Sequence, residues 1–594
     1  MLKPKEHRLI LERGVGVVWA LIFCIKEGHA QTPRILSTLS DTSIGEPVRY
    51  TAPYLPWYEP LDTLAAFSWR TGYFKPYQTW WRGVPKYESE ILSFSPASQE
   101  VYLLRSVPLF WSHRPYTRVR FDQSSRRTQL LAVQHGQTFE RRGGLSFAYG
   151  RRTREGEYLG QSTDHYTAGI AGYAYLTRWN WLQLQAGWNQ LQDQLNGGVV
   201  YDSSASPWDA FGKERQRVRI PPGMRWRRWY RFLKGSGGMR FTPSLGMEIE
   251  YRLTEDRLQS ESPFIEEHSS STFFPESLER SWGVRQYLRG VSLTLYWNPY
   301  WRGSIRIQQL RSVLEAPFTS FRLRCLEGES MMRIRSLRAF VLYRLWRGEG
   351  APAPYLYTEL SWKPSPYGVG ALYISRNPPW LAYQYGFFDY QSLPNERIIH
   401  VWGSYSLGPI DSTHPSLQFF LWHTTFHSPW LWIEGKLVGA GMQSYGLTME
   451  GGVSGKRIGL ISGVNLQQLY SSEERAWQEV LPLASGWIQP FVRWQLPGRI
   501  PVYQIGLRLQ GFSSFRPLNY ETHLGIFFLS PSVPLQGEYV WIDPYLLVHI
   551  RQVMVYLRVE RATEGLLRKG YYLTAWYPMP GRAFTFGVQW DVYD

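Results

Sequence analysis

Nowhere in its 594 residues does this chain hold an apolar run approaching the roughly 18 residues that a membrane-crossing helix needs. Its mean hydropathy is negative, −0.33, so a bundle of membrane helices is excluded. Cysteine is almost missing. Cys24 and Cys325 are the only two, and Cys24 falls in a stretch that reads as removable, leaving no intramolecular disulfide to staple a small secreted fold. Acid is in deficit, with 48 Asp and Glu against 65 Lys and Arg for a net charge of +17. The excess base forms no block and no nucleic-acid motif accompanies it, which argues against a nucleic-acid partner.

Catalytic signatures are missing too: no HExxH, GxSxG or Walker-type loop is present. Residues 451–456, Gly-Gly-Val-Ser-Gly-Lys, have the flavour of a phosphate loop. Their spacing is wrong and no hydroxyl follows Lys456, so they fit small-residue positions on a strand better. Asp164 with His165, and His135 near Ser124 and Ser125, remain as catalytic candidates. Adjacent residues on a strand point to opposite faces, so Asp164 and His165 share a site only on a loop. No His, Cys or Asp spacing suggests a metal, and the carboxylates Glu261, Glu266 and Glu267 read as a solvated loop cluster. The expectation is a protein that is no enzyme and takes no metal or cofactor.

What the chain does have is aromatic residues, 16% of the total with 28 Trp and 39 Tyr, and alternation. In 583–593, Phe584, Phe586, Val588, Trp590 and Val592 share one face while Thr585, Gly587, Gln589 and Asp591 share the other. A strand that oily on one side, at a chain end that in soluble proteins usually frays, calls for lipid on one face and water on the other. Similar runs recur. Leu182, Leu184, Ala186 and Trp188 oppose Gln183, Gln185 and Asn189; Leu245, Met247, Ile249, Tyr251 and Leu253 oppose Glu248, Glu250 and Arg252; Tyr503, Ile505, Leu507 and Leu509 oppose Gln504, Arg508 and Gln510. Near the first run, Arg118, Arg120 and Asp122 face away from Val119 and Phe121.

The predicted fold class is all-β: a transmembrane antiparallel β-barrel with an even strand number, about 16–24, preceded by an irregular N-terminal segment. Residues 1–30 read as a signal peptide, with Lys3, Lys5, Arg8 and Arg13 before an apolar run at 15–25 and a cut expected after Ala30. Residues 31–110 are rich in Pro, Tyr and Trp with little alternation, and predict an extended periplasmic or lumenal segment rather than a globular plug. Residues 111–594 are the expected barrel, with long polar loops at 198–216 and 254–279.

Several stretches resemble the porin family of Bacteroidota outer membranes. They are Pro115-Tyr116-Thr117-Arg118-Val119-Arg120-Phe121, Thr138-Phe139-Glu140-Arg141-Arg142, Gly156-Glu157-Tyr158, Asn196-Gly197-Gly198, Asp543-Pro544-Tyr545, Gly570-Tyr571-Tyr572 and Tyr577-Pro578-Met579-Pro580-Gly581-Arg582. The resemblance implies an outer-membrane barrel in contact with lipid, inserted by the barrel-insertion machinery, passing small hydrophilic solutes and open to homo-oligomerisation. One departure is the chain end: such barrels usually finish on an aromatic, and here Tyr593 and Asp594 follow an in-phase Val592. Read physically, Pro578, Pro580 and Gly581 break the chain before its last strand, and that turn is expected on the cell exterior.

Two functions follow. One is a passive channel lined by Arg118, Arg120, Asp122, Glu248, Glu250, Arg252 and Arg508, with the arginines favouring anions. The other is a barrel blocked by residues 31–110 or by loops, acting as a specific transporter or a surface scaffold. A secreted soluble β-protein stands as the third possibility and predicts extraction without detergent.

Overall fold

The computed structural model describes residues 34–36, 46–47 and, loop segments excepted, 103–593. The expected signal peptide, the loop at 198–216, Asn196, Gly197, Gly198, Glu266, Glu267, Pro580 and Gly581 lie outside the described residues.

A closed antiparallel barrel of 22 strands runs from Tyr116–Ser124 to Ala583–Tyr593, each strand paired with its chain neighbour. First and last strands zip together over Tyr116↔Tyr593, Arg118↔Asp591, Arg120↔Gln589 and Asp122↔Gly587, which leaves the barrel sheet no free edge. No helix among the described residues is long and apolar enough to cross a membrane; the barrel would cross with strands, each paired with a neighbour on both sides.

Alternation decides which face is which. Leu182, Leu184, Ile249, Leu253, Val291, Ile307, Leu421 and Phe584 are large, apolar and exposed, while Thr585, Gln589, Asp591, Ser292, Thr294, Gln504 and Arg508 on the opposite face are buried. The exposed apolar positions are the outside of the cylinder, and the polar ones line its interior. Where strands turn at one end, exposed or paired aromatics gather: Trp297 against Tyr300, Tyr367 against Tyr405, and Trp494 stacked on Tyr503 at 5.6 Å. Such a girdle marks a membrane interface. Turns at that end are short, as at 335–336 and 551–552, and the longer connections, 196–223, 262–280, 377–395 and 513–538, are all at the other end. In barrels of this kind the short turns are periplasmic and the long loops external.

One expectation is corrected. The polar stretch 254–279 does not begin as a loop, because the strand Leu245–Glu261 runs through its first part, so that Glu261, expected in a loop cluster, ends a strand and pairs with Arg227 at 2.9 Å. Thr254, Asp256 and Leu258 point inward while Glu255 and Arg257 point outward, opposite Tyr287 and Arg285. Outside the apolar belt both faces meet polar surroundings, so the contrast that betrays a strand disappears.

Candidate functional site

Inside the cylinder, residues 103–111, ahead of the first barrel strand, lie along the wall. Leu109–Trp111 pairs with Arg34–Leu36, which pairs in turn with Glu46–Pro47, to form a small separate sheet. Residues 103–111 are also held by inward-facing groups of the strands between Thr128 and Arg240. The backbone N–H of Leu104 donates to Asn189 Oδ1 at 2.7 Å, and Asn189 Nδ2 donates back to the Leu104 carbonyl at 3.0 Å. Lower down, the Val107 N–H reaches Gln185 Oε1 at 3.3 Å and the Phe110 N–H reaches Ser146 Oγ at 3.3 Å. Thr138 and Tyr173 hydroxyls both donate to the Phe110 carbonyl. Backbone groups outside a ladder must find other partners, and at Leu104 and Val107 wall side chains supply them.

Glycine makes room for this contact. A Cβ on Gly136 would meet Phe110 at 2.4 Å, and one on Gly169 would meet Val107 at 2.5 Å. Leu103, Val107 and Leu109 then join Ala148, Ala171, Trp181, Leu191, Tyr230 and Phe232 of the wall in one apolar cluster. The docking is therefore both hydrogen-bonded and apolar.

The rest of the inner wall mixes apolar clusters, such as Leu342, Leu372, Ile374 and Ile398, with charged groups, several of them paired. Arg118 pairs with Asp591 at 2.5 Å, and the Tyr116 hydroxyl donates to the same carboxylate at 2.8 Å. Asp122 is too far along its strand to serve Arg118; it pairs instead with Arg120 at 2.7 Å and accepts from the Tyr556 hydroxyl. Arg508 is buried opposite Asp543, with its guanidinium over the Trp487 ring. Asp543 also accepts from the Arg561 backbone N–H, tying the motif Asp543-Pro544 to the external turn. Glu248, Glu250 and Arg252 point inward on a separate sector, where Arg252 donates to the Tyr230 hydroxyl at 3.1 Å. The structure thus gathers Arg118, Arg120 and Asp122 at the closing seam and leaves the Glu248–Arg252 set apart. Elsewhere Arg228 forks onto Asp256, and Glu327 is held between Arg306 and Arg344.

The catalytic candidates are separated. Asp164 faces outward near Arg151, whereas His165 faces inward and bonds Asp193 at 3.1 Å. His135 shares a hydrogen bond with Thr117, at the far end of the strand pair from Ser124. Among the described residues no group of three or more His, Cys, Asp or Glu could hold a metal. Of the remaining motif residues, Pro115 and Thr117 lie at the start of the first strand, Tyr577 and Pro578 pair with Tyr572–Thr574 beyond the external end of the barrel, and Arg582 donates to the Glu564 carbonyl at 3.0 Å. In the sequence Gln185 and Asn189 show only as polar-face residues of an alternating run and Ser146 carries no signal, since a polar residue that grips a strap has the same pattern as one that faces water.

Residues 499–594 match the family model described as "Putative porin". This chain is an outer-membrane β-barrel. No curated protein sequence matches it. Among solved structures, the barrel is similar to the FrpB iron transporter from Neisseria meningitidis, at 11% identity and TM-score 0.56 over 81% of this chain and 82% of that one. It is similar to the ferripyoverdine receptor of the Pseudomonas aeruginosa outer membrane, at 10% identity and TM-score 0.59 over 81% and 72%. The ferric yersiniabactin uptake receptor FyuA from Yersinia pestis gives 10% identity and TM-score 0.55 over 80% of each chain. At such identities the likeness speaks for the fold alone.

Proposed function

We propose that this outer-membrane barrel transports small hydrophilic solutes through a lumen gated by its own N-terminal segment, and is not a permanently open pore. The observation that carries the reading is the reciprocal Leu104–Asn189 pair, which ties the segment to the wall well inside the cylinder. Two further features support it. A barrel of 22 strands is too wide for its own wall side chains to fill, yet inward-facing Trp226, Arg228, Leu191, Met224 and Trp541 are fully buried. The similar structures are themselves named as transporters and uptake receptors. Because Arg118, Arg120, Arg228, Arg306 and Arg344 are each paired with a carboxylate, the expected charge selectivity is weak, and Arg118 and Arg120 act as structural cross-links of the lining more than as an anion ring. Phe584, Phe586, Val588, Trp590 and Val592 face lipid in this reading.

Open diffusion remains the second reading, favoured by the porin-family match over the last strands. Single-channel recording separates the two. The gated barrel predicts a silent full-length protein and steady conductance once residues 31–111 are deleted. Equal, steady conductance with and without the segment would establish passive diffusion instead. Silence in both would favour a surface scaffold.

A further inference from the structure

The outer face is not the same all round. On the strands from Ser416–His427 round to Ala583–Tyr593, no outward position carries Asp, Glu, Lys or Arg. On the opposite side the apolar belt ends abruptly. Cross-strand register places Tyr251, Val291, Ile307, Leu326 and Leu345 in one continuous apolar row. Two residues further toward the long-loop end, about 7 Å up the strands, the row reads Leu253, Arg289, Gln309, Arg324 and Arg347. The next row up reads Arg231, Glu255, Tyr287, Arg311 and Arg322.

Two of these contacts set like charges side by side. Arg311 stands directly opposite Arg322, and Arg324 directly opposite Arg347. Like charges facing across a ladder work against pairing. Lower in the sequence the local arginines have partners: Arg285 and Arg231 share Glu255, Arg227 has Glu261, and Arg289 donates to Gln309 at 2.8 Å. Arg311, Arg322, Arg324 and Arg347 are exposed, and none of their guanidinium groups has an ion-pair or hydrogen-bond partner among the described residues.

We infer that these four arginines form a docking surface for the phosphate-bearing headgroup of outer-leaflet glycolipid. The height is that of a headgroup, immediately above an exposed hydrocarbon-facing row and at the external end of the barrel. The chemistry matches as well, since guanidinium groups take phosphate oxygens in bidentate fashion, and a shared anion turns Arg–Arg repulsion into a bridge. The apolar row below receives the acyl chains of the same lipid, which a free phosphate ion does not use. The surface commits the protein to one preferred lipid contact on this side and leaves the uncharged side without one.

The test uses the full-length protein purified in neutral detergent. Wild type and the quadruple variant R311Q/R322Q/R324Q/R347Q are titrated with a phosphorylated lipid A, with a neutral phosphatidylcholine and with inorganic phosphate, reading the unfolding temperature and the lipid retained by native mass spectrometry. Wild type is expected to gain stability and retain lipid A, with the variant weakened at least about tenfold in apparent affinity and neither protein responding to phosphatidylcholine. Because the substitutions relieve like-charge contacts, the variant is expected to fold; the pair R311Q/R322Q alone provides a milder second variant with a partial loss. Equal binding by wild type and variants overturns the inference. So does stabilisation by inorganic phosphate to the same extent as lipid A, or a wild type that retains no lipid and instead loses a co-purifying protein when the arginines are replaced.

Discussion

Asn189 is the residue on which the lumenal contact turns. Its carboxamide satisfies both the N–H and the C=O of Leu104, and Nδ2 also reaches the Tyr230 carbonyl at 3.3 Å. A buried amide of this kind is worth little in water but leaves unpaired backbone groups when removed, at about 1–3 kcal/mol. Asn189→Ala is therefore expected to loosen residues 103–111 by that amount while leaving the barrel closed. Limited proteolysis of the folded protein checks it: faster cleavage within 103–111 at unchanged barrel melting is the expected result, and an unchanged cleavage rate would mean that the apolar cluster alone holds the segment. Sequence could not single this residue out. Asn189 alternates with Trp188 like any lumen residue, and nothing in its spacing distinguishes a hydrogen bond to a distant segment from one to water.

Strands are the scale at which the chain was most legible. Tyr539–Ile550, Val553–Glu560 and Ala583–Tyr593 are strands as their period-2 pattern required, because a wall with lipid on one side and a polar lumen on the other writes its two environments into alternate residues. Legibility failed where one of those environments changes. Past Leu253 the outward face of its strand turns charged, and alternation stops reporting the strand that continues to Glu261. It failed again at 103–111, where Leu104 and Val107 bond to wall side chains and only the three residues Leu109–Trp111 join a ladder, too short a run to show a period. The outward row of the last strand yields a depth-dependent prediction. Val588→Arg, in mid-strand, is expected to cost about 2–4 kcal/mol in refolding into lipid vesicles, and Phe584→Arg, near its external end, about 0–1 kcal/mol. Equal costs at the two positions would mean that this row does not follow the depth of a bilayer.

At the scale of the whole molecule, the barrel is a closed cylinder whose first strand begins at the short-turn end and which holds residues 103–111 against its inner wall. Closure and strand direction follow from an even strand count and short turns, and both were readable in advance within a range. Lumen occupancy was not, because it depends on where a poorly patterned segment docks. The contact that reports it most directly is between Val107 and Gly169, where a Cβ on the glycine would stand 2.5 Å from the valine side chain. Cysteines at these two positions suit the short Cβ separation of a disulfide. They would be introduced as V107C/G169C in a C325S background, since Cys325 is the one free cysteine of the described residues. The account predicts a single intramolecular disulfide in the folded barrel in membranes, seen as a gel shift and as loss of two maleimide-reactive thiols. A folded barrel in which both cysteines stay free and accessible would contradict a lumen that holds its own N-terminal segment.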